Sequence, residues 1–350
     1  MSGDQNLISK IIKNTNGFTL LEVSVAMLIS LVVITAIYMT FNSQQDSYAT
    51  QTQVSATQQN LRAAINRMTR DIQMAGYYSN FVKEKFQMDW DNLDGDWDNS
   101  TGNTENIRPL IFGVNNVPPD PTDGIKDGSD ILIIIKGHFK KKRLLSAGEG
   151  AVSGAPGIAS ITLLDDWKPG KKARDLDGDG DKDLSPDKYG ILVQNNLSHA
   201  DFFRVSTDSD VFAPPDGLNY DYTEGDWIMR AEILYYYIDD KTNPGHPLLR
   251  TRDLGNNGYT EQVAENIENL KIRYHLSSGA TTSTLTEDQV PEVRAVEMAL
   301  LGRTAAPIKG YTDTKSYTLA GQAIPPLTPN EKKYQRRLLS TTILTRNIGS

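Results

Sequence analysis

Five aspartates alternate with other residues between positions 175 and 183, and their spacing could hold a metal ion. The set is Asp175, Asp177, Asp179, Asp181 and Asp183. With Gly180 in the sixth place, the stretch follows the spacing of an EF-hand loop, whose oxygen ligands wrap one calcium ion. It departs at the twelfth place, where Pro186 replaces a bidentate carboxylate, and no helix signal flanks it. The sequence therefore predicts a calcium site, with a solvated acidic loop as the alternative.

A second acidic cluster and one basic run are the other highly charged stretches. The acidic cluster consists of Asp89, Asp91, Asp94, Asp96 and Asp98, around Trp90 and Trp97. No glycine occupies the sixth place of any frame there, so a polar loop is the favoured interpretation. The basic run consists of Lys136, Lys140, Lys141, Lys142 and Arg143, around His138 and Phe139. It predicts a solvated hairpin end, with docking of an acidic partner or a DNA strand as the alternative.

No sequence pattern typical of an enzyme accompanies these charges. The chain has no cysteine, which excludes disulfide bonds, thiol catalysis and cysteine-ligated zinc. None of its four histidines is spaced with another as a metal pair, and no nucleophile elbow or phosphate-binding loop occurs. A glycosidase-type pair of carboxylates needs no fixed spacing in sequence, so an enzyme stays open as a minor alternative. We expect a protein without catalytic activity.

The composition is that of a folded, acidic protein. Its 350 residues are 38% hydrophobic and 23% charged, which provides enough apolar surface for a core. There are 36 lysines and arginines against 44 aspartates and glutamates, so the net charge is −8. Because sequence-independent binding of nucleic acid needs a basic surface, that function is not expected.

One segment near the amino terminus is far more apolar than the rest of the chain. Residues 18–41 read FTLLEVSVAMLISLVVITAIYMTF and contain a single ionisable side chain, that of Glu22. As a helix this segment would be about 36 Å long, sufficient to cross the roughly 30 Å hydrocarbon core of a membrane. The preceding polar stretch, 1–17, carries Lys10 and Lys13 near its end. Basic residues on that side favour a cytoplasmic leader and an exported remainder.

The junction between the leader and the helix carries a processing motif. Unlike a secretory signal, the segment has no small-residue cleavage site after Phe41. The residues Gly17-Phe18-Thr19-Leu20-Leu21-Glu22-Val23 resemble the cleavage and methylation signature of type IV prepilins and type II secretion pseudopilins. The resemblance implies cleavage after Gly17 by a prepilin peptidase, N-methylation of Phe18 and polymerisation through the helix. The alternative is an anchor that stays uncleaved.

Glu22 is the residue to which this resemblance assigns a role in assembly. A carboxylate inside a membrane helix costs a few kcal/mol, so it needs a partner or a function. We expect it to attract the positive α-amino group of Phe18 on a neighbouring subunit, because opposite charges attract strongly in a medium of low dielectric constant. A glutamate that merely reaches the membrane interface is less favoured, since its side chain is short.

The helix is predicted to continue beyond the membrane segment as far as Gly76. No glycine or proline occurs between residues 42 and 75. Apolar residues at helical spacing form one narrow stripe, which consists of Val54, Leu61, Ile65, Met68, Ile72 and Ala75. We predict a transmembrane half, 18–41, and an amphipathic half, 42–76, whose stripe packs against a sheet and excludes Asp71. A coiled coil is less favoured because the stripe is short.

The remaining residues, 77–350, predict one β-rich domain with long polar loops. Alternating or short continuous apolar runs predict strands over 107–114, 130–136, 160–164, 189–194, 202–205, 227–237, 270–276, 293–301 and 336–345. Val263, Ile267 and Leu270 predict a short helix before one of these strands. The fold class predicted is α+β and pilin-like: a long amino-terminal helix packed on an antiparallel β-rich head.

Three segments in the carboxyl-terminal part resemble the minor pilin family called PilW. They are 262–274, 293–301 and 336–342, and they are less specific than the processing motif. The resemblance implies a minor pilin, a structural subunit that helps to initiate or cap a type IV pilus. J-type minor pseudopilins of type II secretion share the same plan and are the first alternative. A membrane-anchored periplasmic enzyme or binding protein is the second.

The same resemblance implies partners and a location. The expected partners are other minor pilins, the major pilin, the prepilin peptidase, the inner-membrane assembly platform and, as a further candidate, a tip adhesin. The chain is expected to cross the inner membrane once, with its leader in the cytoplasm and its head in the periplasm, before it reaches the pilus at the cell surface. Calcium is the cofactor that the sequence suggests.

Overall fold

The computed structural model describes most of the chain. The described residues are 17–82, 86–89, 104–107, 111–114, 124–154, 159–164, 174–186, 188–206, 211–213, 217–256 and 258–348. The predicted leader, apart from Gly17, lies outside them, as do Asp91, Asp94, Asp96 and Asp98 of the second acidic cluster. The chain divides into two compact units, of which the first ends at Gln53 and the second begins at Val54.

One long helix, α1, runs from Leu20 to Met74. It agrees with the helix predicted from Phe18 to Gly76, and Gly76 adopts the positive φ of 78° that commonly follows a helix end. Among the described residues, one helical segment is long and apolar enough to cross a membrane. This segment, Leu20–Phe81, has a mean hydropathy of 2.5 over its most apolar window, none of which is buried.

The part of α1 that belongs to the second unit buries one face against β-sheets. The apolar residues fully buried on this face are Leu61, Ala64, Met68 and Ile72. Burying a side chain the size of leucine, isoleucine or methionine contributes about 1.5–3 kcal/mol, so this face fixes the helix on the sheets. Gly302 permits the close approach, because a Cβ atom there would lie 3.0 Å from Leu61 Cγ. The predicted apolar stripe is confirmed at Leu61, Met68 and Ile72, whereas Ala64 was not part of it.

The remaining described elements are mostly strands. The first nine are β1 (Phe86–Asp89), β2 (Thr104–Ile107), β3 (Ile111–Val114), β4 (Ile131–Leu144), β5 (Gly150–Val152), β6 (Ser160–Thr162), β7 (Tyr189–Val193), β8 (Ala200–Arg204) and β9 (Val211–Phe212). The next nine are β10 (Trp227–Asp239), β11 (Leu248–Asp253), β12 (Tyr259–Glu265), β13 (Ile267–Leu276), β14 (Thr281–Thr282), β15 (Val293–Arg303), β16 (Thr318–Leu319), β17 (Gln322–Ala323) and β18 (Arg336–Leu344).

Every pairing between these strands is antiparallel. The largest sheet has the order β12-β11-β10-β4-β3, with β7 and β8 attached through β10. A second sheet has the order β14-β13-β15-β18. Both sheets and α1 contribute to one hydrophobic core, which includes Met68, Tyr236, Leu270 and Leu300. The predicted α+β class, a long helix packed on antiparallel sheets, is confirmed.

Two local predictions are wrong. The short helix predicted around Val263 and Leu270 is absent, because these residues belong to β12 and β13. Asn266 between the two strands has a φ of 58°, a left-handed conformation in which the chain passes from one sheet to the other. The strand predicted over 130–136 does not end there, since β4 continues through the basic run to Leu144.

Candidate functional site

Thr19 and Glu22 form the amino-terminal cap of α1. Glu22 Oε2 accepts hydrogen bonds from Thr19 N at 2.8 Å and from Thr19 Oγ1 at 2.9 Å. In return, Glu22 N donates to Thr19 Oγ1 at 3.2 Å. This reciprocal arrangement is a capping box, which satisfies N–H groups that the first helical turn leaves without an acceptor. The sequence signal for this box is a threonine followed three residues later by a glutamate. The processing motif contains that spacing, but the sequence-based prediction assigned Glu22 a role in assembly and did not include the cap.

The first part of α1 presents apolar side chains on all sides. Leu20, Met27 and Ile34 are 87%, 69% and 63% exposed. Hydroxyl groups here donate to the carbonyl oxygen four residues earlier, namely Ser24 to Leu20, Thr35 to Leu31 and Thr40 to Ala36. These internal hydrogen bonds reduce the cost of transferring the hydroxyls to lipid. Glu22 is the single acidic side chain of this surface, and no basic side chain among the described residues is paired with it.

The structure brings three of the five predicted aspartate ligands together in the acidic loop. Carboxylate oxygens of Asp175, Asp177 and Asp183 all lie within 4.8 Å of one another. Asp175 is held by the loop backbone, since its two oxygens accept from Gly178 N at 2.6 Å and from Gly180 N at 2.8 Å. Three carboxylates at this distance offer oxygen ligands of the kind that calcium prefers.

The other two aspartates of the predicted set lie outside this group of three carboxylates. Asp181 is exposed, and Asp179 directs its carboxylate to Lys141 at 2.5 Å. Lys141 also reaches Asp177 at 2.9 Å and Asp183 at 3.3 Å. The lysine thus already neutralises part of the negative charge that a metal ion would neutralise. Burial alone would lower the pKa of Lys141, but its hydrogen bonds to Asp179 and Asp177 raise it.

A bulge in β4 aims Lys141 at the acidic loop. The register between β4 and β10 shifts so that Met229 pairs with Lys142 and Ala231 pairs with Gly137. The four residues 138–141 therefore face a single residue of β10, which is how a bulge re-aims side chains. His138 Nδ1 supports the bulge by accepting hydrogen bonds from Lys140 N at 3.1 Å and Lys141 N at 3.2 Å.

Most side chains of the basic run pair with acidic or aromatic side chains of the same fold. The prediction of a solvated hairpin end is therefore wrong. Lys136 pairs with Asp71 at 2.7 Å and with Glu232 at 3.0 Å. Arg143 is buried and pairs with Glu149 at 2.6 Å. The Lys142 ammonium lies 5.0–5.7 Å from the ring centres of four aromatic residues, which are Tyr77, Tyr78, Phe139 and Trp227. Such cation–π contacts stabilise by about 0.5–2 kcal/mol each.

Asp71 connects α1 to the largest sheet, although the sequence placed it off the buried stripe. It is 8% exposed and accepts hydrogen bonds from Lys136 and from the Tyr236 hydroxyl. Arg67 lies 3.4 Å from the same carboxylate. Burial and the nearby Asp71 charge raise the pKa of Tyr236, which keeps that hydroxyl protonated as a donor. Helical periodicity treats every acid as a surface residue, so it could not reveal this partner.

Asp253, at the end of β11, is a buried carboxyl that is expected to make the stability of the fold depend on pH. Burial raises the pKa of Asp253 to about 6 from a usual value of 3.8, against the opposing effect of Arg230 at 3.8 Å. A carboxyl whose pKa is higher in the folded state destabilises that state as the pH rises from about 4 to about 6. We expect Asp253→Asn to raise the free energy of unfolding by about 2 kcal/mol at pH 7 and by much less at pH 4. Urea titrations at both pH values measure this difference, and an equal gain at both would contradict it.

The three segments that resemble PilW meet in the second sheet, where they fall on the adjacent strands β13, β15 and β18. The first segment begins in β12, which belongs to the largest sheet. Arg336 at the start of β18 reaches across β15 to Glu268 of β13, with Nε at 2.6 Å and Nη2 at 2.9 Å from the two carboxylate oxygens. Both side chains are buried, and Asp313 contacts Arg336 Nη1 at 3.4 Å. A two-pronged ion pair therefore joins the first and last of these segments.

Two family models match parts of this chain. Residues 12–38 match the family model of the prokaryotic N-terminal methylation motif, and residues 235–347 match that of Type IV Pilus-assembly protein W. Among solved structures, the type IV-like pilin TTHA1219 from Thermus thermophilus is similar over 83% of this chain and 98% of its own. Its sequence identity is 10% and the TM-score is 0.33. A comparison with curated protein sequences finds no significant match.

The two family matches define a class of protein: a type IV pilin subunit that carries the signal for processing by prepilin peptidase. Within this class the chain is PilW-like, because the PilW match extends from within β10 to just beyond β18. The resemblance to PilW, which rested on three segments of the sequence, is confirmed. Assembly with other pilins follows from this class, and the apolar helix fits a membrane-anchored pilin.

Proposed function

We propose that this chain is a minor pilin, a non-catalytic subunit that helps to initiate or cap a type IV pilus. The observation that carries the proposal is Glu22, the single acidic side chain on a mostly apolar helical surface, within the segment that matches the methylation motif. An apolar helix packs against the helices of neighbouring subunits, and a single carboxylate selects the register in which a positive group lies opposite to it.

The mature amino terminus is proposed to be Phe18, generated by cleavage after Gly17 and then N-methylated. Gly17 is exposed and precedes the helix, so the peptide bond after it lies in accessible backbone outside the helix. Intact-mass and amino-terminal analysis of the protein from its native membrane tests this. We expect a mass that corresponds to residues 18–350 plus one methyl group. A chain that retains the leader would support the membrane-anchored enzyme or binding protein instead.

The proposed location places Phe18–Phe41 in the inner membrane and residues 77–350 in the periplasm, with the leader in the cytoplasm. From there the subunit would enter the pilus at the cell surface. Its proposed partners are other minor pilins, the major pilin, the prepilin peptidase, the inner-membrane assembly platform and a tip adhesin. Proteolysis of spheroplasts tests the orientation, because residues beyond the helix should be degraded from outside while the membrane stays intact.

A J-like minor pseudopilin of type II secretion is the second candidate, since such proteins carry the same processing motif. Deletion of the gene separates the two functions. Loss of surface fibres or of twitching motility supports the pilus subunit. Retained fibres together with blocked release of exported enzymes would support the pseudopilin and overturn the first proposal.

We further propose that the acidic loop binds calcium through Asp175, Asp177 and Asp183. The convergence of three carboxylates within 4.8 Å supports this, whereas Lys141 competes with the ion. We expect calcium to raise the melting temperature of the chelator-treated protein by several degrees. Asp177→Asn should abolish that rise, and Asp181→Asn should keep it, because Asp181 stands apart from the three carboxylates. If calcium left the melting temperature of the wild-type protein unchanged, the proposal would be wrong. The loop would then be neutralised by Lys141 without a metal ion.

A further inference from the structure

The last strand, β18, is an edge of the second sheet, because it pairs with β15 on one side and with no described strand on the other. Hydrogen bonds at its two ends show which residues bond to β15. Gln335 O accepts from Thr304 N, and Thr345 N donates to Arg294 O, each at 3.0 Å. In an antiparallel pair the backbone groups of successive residues alternate between the two sides of a strand. The odd-numbered residues of β18 therefore bond to β15, and the even-numbered ones direct their N–H and C=O groups outward.

The outward backbone groups of β18 form an open row of donors and acceptors. They belong to Leu338, Ser340, Thr342 and Leu344, and none of them has a hydrogen-bond partner among the described residues. All four residues are exposed, with fractions of 42% for Leu338 and 70% for Leu344. The groups that a further strand would need are thus accessible.

This edge lacks the features that usually prevent a strand from pairing with another chain. Its nine residues pair with β15 without a register shift, so no bulge interrupts it. No proline and no charged residue occurs between Leu338 and Leu344. A long, regular, apolar edge is a template for a further strand unless a partner covers it.

The other described edges of the two main sheets are protected. On the far side of the second sheet, β14 has only two residues. In the largest sheet, β3 has four residues, and β12 combines a register shift against β11 with the exposed acids Glu261 and Glu265. Short strands, bulges and charges are the usual means of blocking an edge. Among these edges, β18 is the one that remains available for pairing.

The surroundings of β18 are basic, although the whole chain has a net charge of −8. Residues 332–350 contain five lysines and arginines and no acid. Arg337 and Arg346 are exposed, one at each end of the edge, and neither pairs with a carboxylate among the described residues. The nine residues of β18 span about 30 Å. Charge complementarity therefore favours a partner strand with acidic residues near both ends.

We propose that the outer edge of β18 binds an extended acidic segment of a partner protein, which adds a strand to the second sheet. Its main chain would bond to the outward groups of β18, and its carboxylates would neutralise Arg337 and Arg346. The middle of the segment would be apolar or β-branched, because it would lie beside Leu339 and Ile343, which face the core shared with α1. The site does not include Glu22, so it can fail without affecting the proposed role of the helix.

The test uses the full-length chain in a non-ionic detergent and a fluorescent nine-residue peptide. The peptide alternates valine and threonine in its centre and carries two glutamates at each end. A matched peptide has lysines in place of the glutamates, and fluorescence anisotropy at low ionic strength measures both affinities. We expect the acidic peptide to bind at least ten-fold more tightly than the basic one. Equal affinities, or no binding of the acidic peptide, would overturn the proposal.

Ser340→Pro locates the binding at the edge of β18. Proline removes the outward N–H of residue 340 and leaves the bonds to β15, and it is tolerated in an edge strand where that N–H faces solvent. We expect at least ten-fold weaker binding of the acidic peptide with little change in melting temperature. Ser340→Ala keeps the N–H and should bind like the wild type. Wild-type affinity in Ser340→Pro would place the peptide elsewhere and overturn the proposal, as would a large drop in its melting temperature, since that N–H would then serve the fold.

Two further measurements test the charge and the identity of the partner. Arg337→Glu should weaken binding of the acidic peptide at least three-fold, whereas Arg62→Glu, on the exposed face of α1, should not. Equal effects of the two variants would overturn the assigned role of Arg337. Sedimentation of the protein without peptide tests a second copy as the occupant. Self-association that Ser340→Pro abolishes, together with no binding of the acidic peptide, would assign the edge to a second copy and overturn the proposal.

Discussion

Replacing Glu22 by glutamine is expected to reduce incorporation of the chain into fibres at least about ten-fold, in cells that still remove the leader. Glutamine has nearly the same shape as glutamate and serves equally at the third position of a capping box, so the cap with Thr19 is retained. What is lost is the negative charge. A ten-fold loss corresponds to about 1.4 kcal/mol, a modest share of what a charge pair provides in a medium of low dielectric constant.

The capping box requires a control that the sequence alone did not suggest. Because Glu22 also accepts two hydrogen bonds from Thr19, a defect in Glu22→Ala would mix a weakened helix start with a lost charge. Thr19→Ala removes the capping partner and leaves the carboxylate in place. We expect this variant to enter fibres at more than half the wild-type level, because the cost of about 1 kcal/mol for a lost cap falls on the stability of the helix end and not on the charge pair between subunits.

Both variants are measured in the same way. Sheared fibres and the membrane fraction are compared by immunoblot, and intact mass confirms that each variant has lost its leader. Fibres in which Glu22→Gln reaches the wild-type level, with the leader removed, would overturn the role of Glu22 in assembly. A strong defect in Thr19→Ala with normal incorporation of Glu22→Gln would assign the requirement to the helix cap instead.

Features set by neighbouring residues were predictable from the sequence. The absence of Gly and Pro before Gly76 indicated the end of α1 closely, and alternation indicated β10 and β15, because these signals depend on spacing along one segment. Short or polar strands such as β12 escaped prediction. Its residues are largely exposed, so no apolar alternation marks it, and its pairing with β11 is what fixes it as a strand.

Contacts between distant residues were not predictable. Lys141 follows the Ile-rich strand by sequence, and only the bulge at residues 138–141 directs it to aspartates more than thirty positions later. The same holds for Asp71 and Lys136, which meet across the junction of helix and sheet. In each case the sequence showed the charges correctly but gave no information about their partners, and a charge without a known partner is assigned to the surface by default.

The segments that resemble PilW contain both a feature that the sequence predicts and one that it does not. Their strands could be recognised one by one, whereas the ion pair between Glu268 and Arg336 depends on the order β13-β15-β18. This order places the ends of the two outer strands on either side of β15. The geometry explains why an arginine stands at the start of the last strand, since its planar fork matches both oxygens of one carboxylate.

Arg336→Met is therefore expected to destabilise the fold by about 3–5 kcal/mol, as does removal of one member of other buried ion pairs. The variant leaves Asp313 buried without Arg336 and leaves Glu268 facing the more distant Arg303 at 3.6 Å. It also frees the carbonyl oxygen of Glu331, which accepts from Arg336 Nη1 at 2.7 Å. Urea unfolding of the full-length chain in detergent, followed by tryptophan fluorescence, measures the loss.

Two comparisons identify the buried charge as the cause. Arg337→Met changes the next residue, which is exposed, and should alter the free energy of unfolding by less than about 0.5 kcal/mol. The double variant Glu268→Leu/Arg336→Met should recover part of the loss, because it removes one buried carboxylate together with its main partner. The recovery is incomplete because Arg303 then loses its contact with Glu268 at 3.6 Å. A loss below about 1 kcal/mol for Arg336→Met would show that water reaches this pair and that the second sheet is held by its strands alone.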